Sequence, residues 1–271
     1  MKPTIIILTD SRGRGLPEFI SEHPESSDYN NIVKVLPGKN LNQIAIEAIQ
    51  TISNLSAQNY YCVILAGICG LTEVTQIARN KRLHYPLDAR SEKVSDITCT
   101  VRDLKRRYID KINICTIIPA SLVKYFRYHN QNRPLPPGLE DEQAAHLEDI
   151  NSINTVICQV NSPETTNINL SRRVLIQSKK KRQRIATEIY RRSLRFSDDQ
   201  LPDGLHFSDT LKTTCFSLIY TTAIRDLQRR APSPDPAPIE DPDSSQDSSQ
   251  SDSEWDFKRK PANSRQVLCV R

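Results

Sequence analysis

The chain reads as a three-layer α/β/α domain built on a mainly parallel sheet, with a tail of different composition behind it. Three observations predict this. Four short runs are predominantly apolar, which suits strands buried on both faces and not a sheet with one wet side. The runs are separated by helix-length segments whose apolar residues recur every three or four positions. Glycine is scarce, seven in 271 residues, and positions 13, 15, 38, 67, 70 and 204 all fall just after a predicted strand or inside a short polar motif, where positive φ or close backbone approach is needed.

Taken in order, residues 4–8 form a β-branched run and predict the first strand. Residues 32–36, 61–65 and 112–118 predict the other three. Between the second and third, Leu41, Ile44, Ala45, Ala48, Ile49 and Ile52 lie on one face of a helix over 40–55. Residues 94–109 and 143–160 predict two further helices. The Pro-rich stretch 134–138 is a loop, since proline presets an extended backbone. A last helix, 208–228, carries Leu211, Cys215, Leu218, Ile219 and Thr222 along one side. The body thus spans 1–230. From 231 to 271 Pro, Ser and Asp dominate, and such a tract buries too little apolar surface to offset its ordering entropy, so disorder is expected. Ser244, Ser249 and Ser251 each have an acid three residues on, the pattern of acidic-directed kinase sites.

Composition excludes several classes. The longest stretch without a charge or strongly polar residue, 60–71, falls far short of the ~18 apolar residues that span a bilayer. The N-terminal apolar run is too short for a signal peptide core. Seven cysteines, scattered and without a CxxC pair, indicate neither a disulfide framework nor a zinc finger; a reducing cytosol or nucleus is the expected compartment. Cys269 stands one place too late for a prenylation box. The five histidines show no paired ligand spacing, so no metal and no cofactor is implied. Net charge is +5, a modest anion preference. The bases cluster in 172–195: Arg172, Arg173, Lys179, Lys180, Lys181, Arg182, Arg184, Arg191, Arg192 and Arg195. This segment is either the solvated face of a surface helix or a nuclear-import or nucleic-acid contact, since clustered bases attract phosphates.

Two motifs carry chemistry. Thr9-Asp10-Ser11-Arg12-Gly13 stands at the carboxyl end of the first strand, where open α/β folds place their sites; Ser11 there is either a nucleophile or an N-cap. Ser11-Arg12-Gly13-Arg14-Gly15 could also cradle a phosphate, but it lacks the spacing of either glycine-rich nucleotide motif. Asp203-Gly204-Leu205-His206 precedes the last helix, and an Asp and a His three apart can lie side by side, the carboxylate orienting the imidazole.

Together and in this order, these blocks resemble the SGNH (GDSL-type) hydrolase family: Asp10-Ser11 after the first strand, Pro37-Gly38-Lys39-Asn40 after the second, Ala66-Gly67-Ile68-Cys69-Gly70-Leu71 after the third, and Asp203-Gly204-Leu205-His206 before the last helix. The resemblance covers roughly residues 4–228, and its first and last blocks are the most specific. The chain is also similar to the SGNH-like esterase domains of some eukaryotic retroelement proteins. The resemblance implies a serine esterase acting on a small ester or acyl substrate. Ser11 would attack the carbonyl, His206 would take its proton and Asp203 would hold the imidazole. The amides of Ser11 and Gly38 would donate to the oxyanion. The family's third donor is the side chain of an asparagine, and here Cys69 takes that place, with Gly70 where an aspartate would follow. A thiol is a weak donor, and loss of one such donor costs about 100- to 1000-fold in turnover. Thr9 also replaces the family's usual glycine. Two classes therefore stand: an esterase with a weakened oxyanion hole, and a non-catalytic SGNH-like binding module of a nucleic-acid-associated or mobile-element protein.

Overall fold

The computed structural model describes residues 2–55, 59–77, 80–131, 133–162, 164–177, 194–196 and 199–230. The tail at 231–271 and most of the basic segment, Lys179, Lys180 and Lys181 included, lie outside the described residues. In chain order the body runs β1 (Thr4–Thr9), a 3-10 turn (Ser11–Gly13), α1 (Leu16–Ser21), a second 3-10 turn (Pro24–Asp28), β2 (Asn30–Val35), α2 (Leu41–Ser53), β3 (Tyr60–Leu65) and α3 (Ile68–Leu71). It continues through β4 (Glu73–Ile77), β5 (Asn80–His84), α4 (Arg90–Arg107), β6 (Ile112–Ile114), α5 (Leu122–His129), α6 (Leu139–Asn161), α7 (Ser171–Val174), β7 (Leu175–Gln177), β8 (Leu194–Phe196) and α8 (Asp209–Gln228).

Among the described residues four strands form the central sheet in the order β2-β1-β3-β6, every pair parallel. Alternation along β1 and β3 sends side chains to opposite faces, and both faces are apolar. Ile6, Leu8, Cys62 and Ile64 pack against α2, α4, α5 and α6. Ile5, Ile7, Tyr61, Val63 and Leu65 pack against α1 and α8. All four isoleucines and leucines of β1 from Ile5 to Leu8 are fully buried, each contributing about 1.5–3 kcal/mol of hydrophobic stabilisation. The expected three-layer architecture is what the chain adopts.

α2 starts where a reciprocal capping box stands: Asn40 Oδ1 accepts the Gln43 amide at 2.9 Å and the Asn40 amide donates to Gln43 Oε1 at 3.1 Å. The fourth strand is shorter than the sequence predicts. Beyond Ile114, α6 takes over the backbone through two side-chain amides seven residues apart on one face. Asn161 Nδ2 donates to the Ile114 carbonyl at 2.7 Å, while Asn154 Oδ1 and Nδ2 bind the Ile117 amide at 2.6 Å and carbonyl at 2.9 Å. These amides satisfy groups that would otherwise need a further strand. The antiparallel pair β4–β5 was not legible in the sequence, because Glu73, Thr75, Gln76, Lys81 and Arg82 give it no apolar alternation. Asn130 at the end of α5 fixes it, accepting from the Lys81 amide at 3.1 Å and donating to the Lys81 carbonyl at 2.6 Å. Residues 134–138 form the expected loop, which ends in Gly138 at the start of α6.

Candidate active site

Strand order reverses direction between β1 and β3, the position where parallel α/β sheets open a crevice at their carboxyl ends. The first three sequence blocks converge there. After β1 the chain makes the tight turn Ser11–Gly13. Asp10, not Ser11, is its N-cap: Asp10 Oδ1 accepts the Arg12 amide at 2.9 Å. Ser11 is thereby freed from the capping role that was its other reading, and as the first residue of the turn its amide has no partner within it. Gly13 is required by close approach, since a Cβ there would sit 1.9 Å from Thr9 Cγ2.

Gly38 follows β2 and Cys69 lies in α3 after β3. The two are neighbours, the Cys69 thiol feeling the Gly38 amide. Burial pushes the Cys69 thiol above its ordinary pKa, with Asp10 adding to the rise, and Arg12 and the Gly38 amide only partly oppose it. Cys69 is therefore a neutral thiol at pH 7 and a weak donor. Gly70 needs no special backbone, and a Cβ there would meet only ordinary contacts.

The Asp203-Gly204-Leu205-His206 block folds back on itself. Asp203 Oδ1 accepts the amides of Leu205 at 2.9 Å and His206 at 2.7 Å, and His206 Nδ1 lies 2.7 Å from Asp203 Oδ2. Burial alone would raise the Asp203 pKa; the hydrogen bonds from the His206 ring and from the two amides outweigh it and hold the carboxyl well below the usual range. The loop is locked in place through Gly204, whose carbonyl accepts the Ser121 amide at 2.7 Å. Gly204 has φ +84, and a Cβ would lie 2.5 Å from both Ser121 O and Tyr125 N. His206 remains half-exposed, its side chain 45% accessible.

This block and the Ser11 turn are neighbours. His206 is close enough to Asp10 to lower the pKa of that carboxyl, although burial, the larger effect, leaves it raised overall. Arg12 Nε donates to the Leu205 carbonyl at 3.2 Å. Among the described residues no hydrogen bond joins the Ser11 hydroxyl to His206, and bonds of this kind often tighten only once substrate is bound. Two contributors were missed in the sequence. Arg12 is buried inward, where its guanidinium donates to the Leu205 and Ile118 carbonyls. His129, on α5, feels the charges of both Asp203 and His206.

The other histidines are structural where they are buried. His146 Nε2 accepts the Ala120 amide at 3.2 Å, and burial followed by the Arg12 charge lowers its pKa to about 3. Among the described residues no three His, Cys, Asp or Glu side chains are grouped to hold a metal, and no helix is long and apolar enough to cross a membrane.

No protein-family model matches the chain, and no curated protein matches it in sequence. Solved structures do. A structure assigned as an acylhydrolase of Bacteroides fragilis superposes with a TM-score of 0.51 at 16% identity, covering 84% of this chain and 91% of that one. A lipase/acylhydrolase from Enterococcus faecalis (TM-score 0.49, 15% identity, 84% and 96% covered) and a GDSL-like lipase from Bacteroides thetaiotaomicron (0.48, 11%, 83% and 88%) are also similar. The first of these shows the fold alone: the chain shares the α/β/α architecture of that structure.

Proposed function

We propose that the chain is a serine hydrolase acting on esters, with Ser11 as nucleophile, His206 as general base and Asp203 as its orienting carboxylate. The observation that carries this reading is the Asp203–His206 pair. A carboxylate fixed by two backbone amides holds the imidazole by Nδ1 at 2.7 Å, which leaves Nε2 as the atom to take a proton. Ser11 stands on the adjoining turn at the strand end. In the proposed cycle its hydroxyl loses a proton to His206 as oxygen attacks the ester carbonyl. The tetrahedral intermediate collapses when His206 returns that proton to the leaving alcohol. Water activated by the same imidazole then releases the acid. The amides of Ser11 and Gly38 serve as oxyanion donors, with Cys69 a poor third. The hole is accordingly weak, and turnover is expected about 100- to 1000-fold below that of an enzyme with an amide side chain there.

One observation favours the second reading, a module that keeps the fold and binds instead of catalysing: burial keeps the Cys69 thiol neutral, so one of the three oxyanion donors is weak. A fluorophosphonate probe separates the two. Labelling of the purified protein that disappears in Ser11→Ala, with an unchanged thermal midpoint, supports the hydrolase. A folded wild-type protein that takes no label leaves the binding module.

A further inference from the structure

A charged side chain is rarely buried unless its surroundings hold it, and Arg12 is only 4% exposed. It directly follows Ser11. Its guanidinium bridges two segments that are far apart in sequence. Nε donates to the Leu205 carbonyl at 3.2 Å, inside the Asp203–His206 block, and Nη1 donates to the Ile118 carbonyl beyond β6. The guanidinium carbon lies 5.3 Å from the centroid of the Phe207 ring, the residue after His206, in cation–π contact. Its own amide is fixed by Asp10. Burial lowers the Arg12 pKa, yet the Asp10 and Asp203 carboxylates favour its charged form, and arginine stays protonated in proteins.

We infer that Arg12 is a positioning residue which fastens the loop carrying Asp203 and His206 to the turn carrying Ser11. This rests on the hydrolase reading above for its consequence in catalysis, but not for its geometry. The planar fork is what the task needs: two carbonyls from different segments are bound by one rigid group, and a flexible lysine cannot reproduce that pair of directions. The backbone of Leu205 is held between the two residues whose side chains form the dyad, so a shift there displaces the imidazole. Displacements of about 1 Å in such a site cost on the order of 100-fold in rate.

The test uses the full chain as wild type, Arg12→Met and Arg12→Lys. Two quantities are measured: the fluorophosphonate labelling rate, and the NMR signals of the His206 ring, whose Nδ1 lies 2.7 Å from Asp203 Oδ2. Arg12→Met removes both carbonyl-binding donors, so the His206 ring signals should shift as the loop loosens, while labelling slows by about 10- to 100-fold. Arg12→Lys should also label slowly, because charge is kept and the fork is lost. A folded Arg12→Met with wild-type ring signals and labelling rate would overturn the inference. Absence of labelling in wild type would defeat the hydrolase reading alone, and the ring signals would still decide the role of Arg12. Should neither variant fold, native-state hydrogen exchange of the wild type decides. Residues 203–207 and 10–13 should open with a common free energy if Arg12 ties them, and independent opening would reject the tie.

Discussion

Asp203 and His206 are joined twice, once through backbone and once through side chains: Oδ1 accepts the His206 amide at 2.7 Å while Oδ2 meets the ring Nδ1 at 2.7 Å. One carboxylate thus fixes both where the imidazole starts and how its ring is turned.

Replacing Asp203 by Asn should remove this control. The side-chain oxygen can still accept backbone amides, but the ring no longer has a reason to carry its proton on Nδ1, and labelling of Ser11 should fall by about 10,000-fold, as for a wrong tautomer. The same substitution changes acid stability. The Asp203 pKa is depressed in the folded chain, so its stabilisation is present above the ordinary value of 3.8 and is lost as pH falls below it. Denaturation profiles between pH 5 and pH 2 should therefore be shallower in Asp203→Asn than in wild type, the two converging at the acid end.

Cys69→Asn should raise ester turnover by up to about 100-fold, because a preorganised amide donor would face the oxyanion in place of a neutral thiol. Steady-state hydrolysis of a short-chain ester measures this. No gain in a folded variant that still labels at Ser11 would mean that position 69 does not face the reacting carbonyl.

Gly204→Ala should destabilise the chain by at least about 1–3 kcal/mol. Positive φ strains any other residue, and the added methyl would meet the Ser121 carbonyl and Tyr125 amide at 2.5 Å. Urea unfolding is the measurement. A change below about 0.5 kcal/mol, the ordinary scale for surface substitutions, would show that the loop does not seat against α5 in solution.

Charge reversal at Lys179, Lys180 and Lys181 tests the basic segment 172–195 as a nucleic-acid contact. Binding should weaken in the variant without sequence preference and fall steeply with added salt, as counterion release requires. Undetectable binding of wild type to single- and double-stranded nucleic acid at low salt would make the segment a solvated face.

Much of this protein was legible in one dimension, for a physical reason: a strand buried on both faces must be apolar at every position, so β1 and β3 could be read from composition alone, as could the helical face of α2. The Asp203–His206 pair was legible too, since three-residue spacing lets both side chains share one turn. Other features were decided only by the tertiary structure. The fourth strand ends early because Asn154 and Asn161 of α6 bind its backbone, and no local pattern announces a helix that imitates a strand. β4 and β5 pair without apolar alternation because Asn130 supplies their anchor. Asp10 takes the capping role that Ser11 could have filled, a choice between adjacent polar residues that depends on which one the turn buries. Arg12 is the clearest case. Its carbonyl partners lie 106 and 193 residues away, so in the sequence it is one more base beside a serine, and only the folded chain, by bringing two distant segments to a single guanidinium, makes it a tie between them.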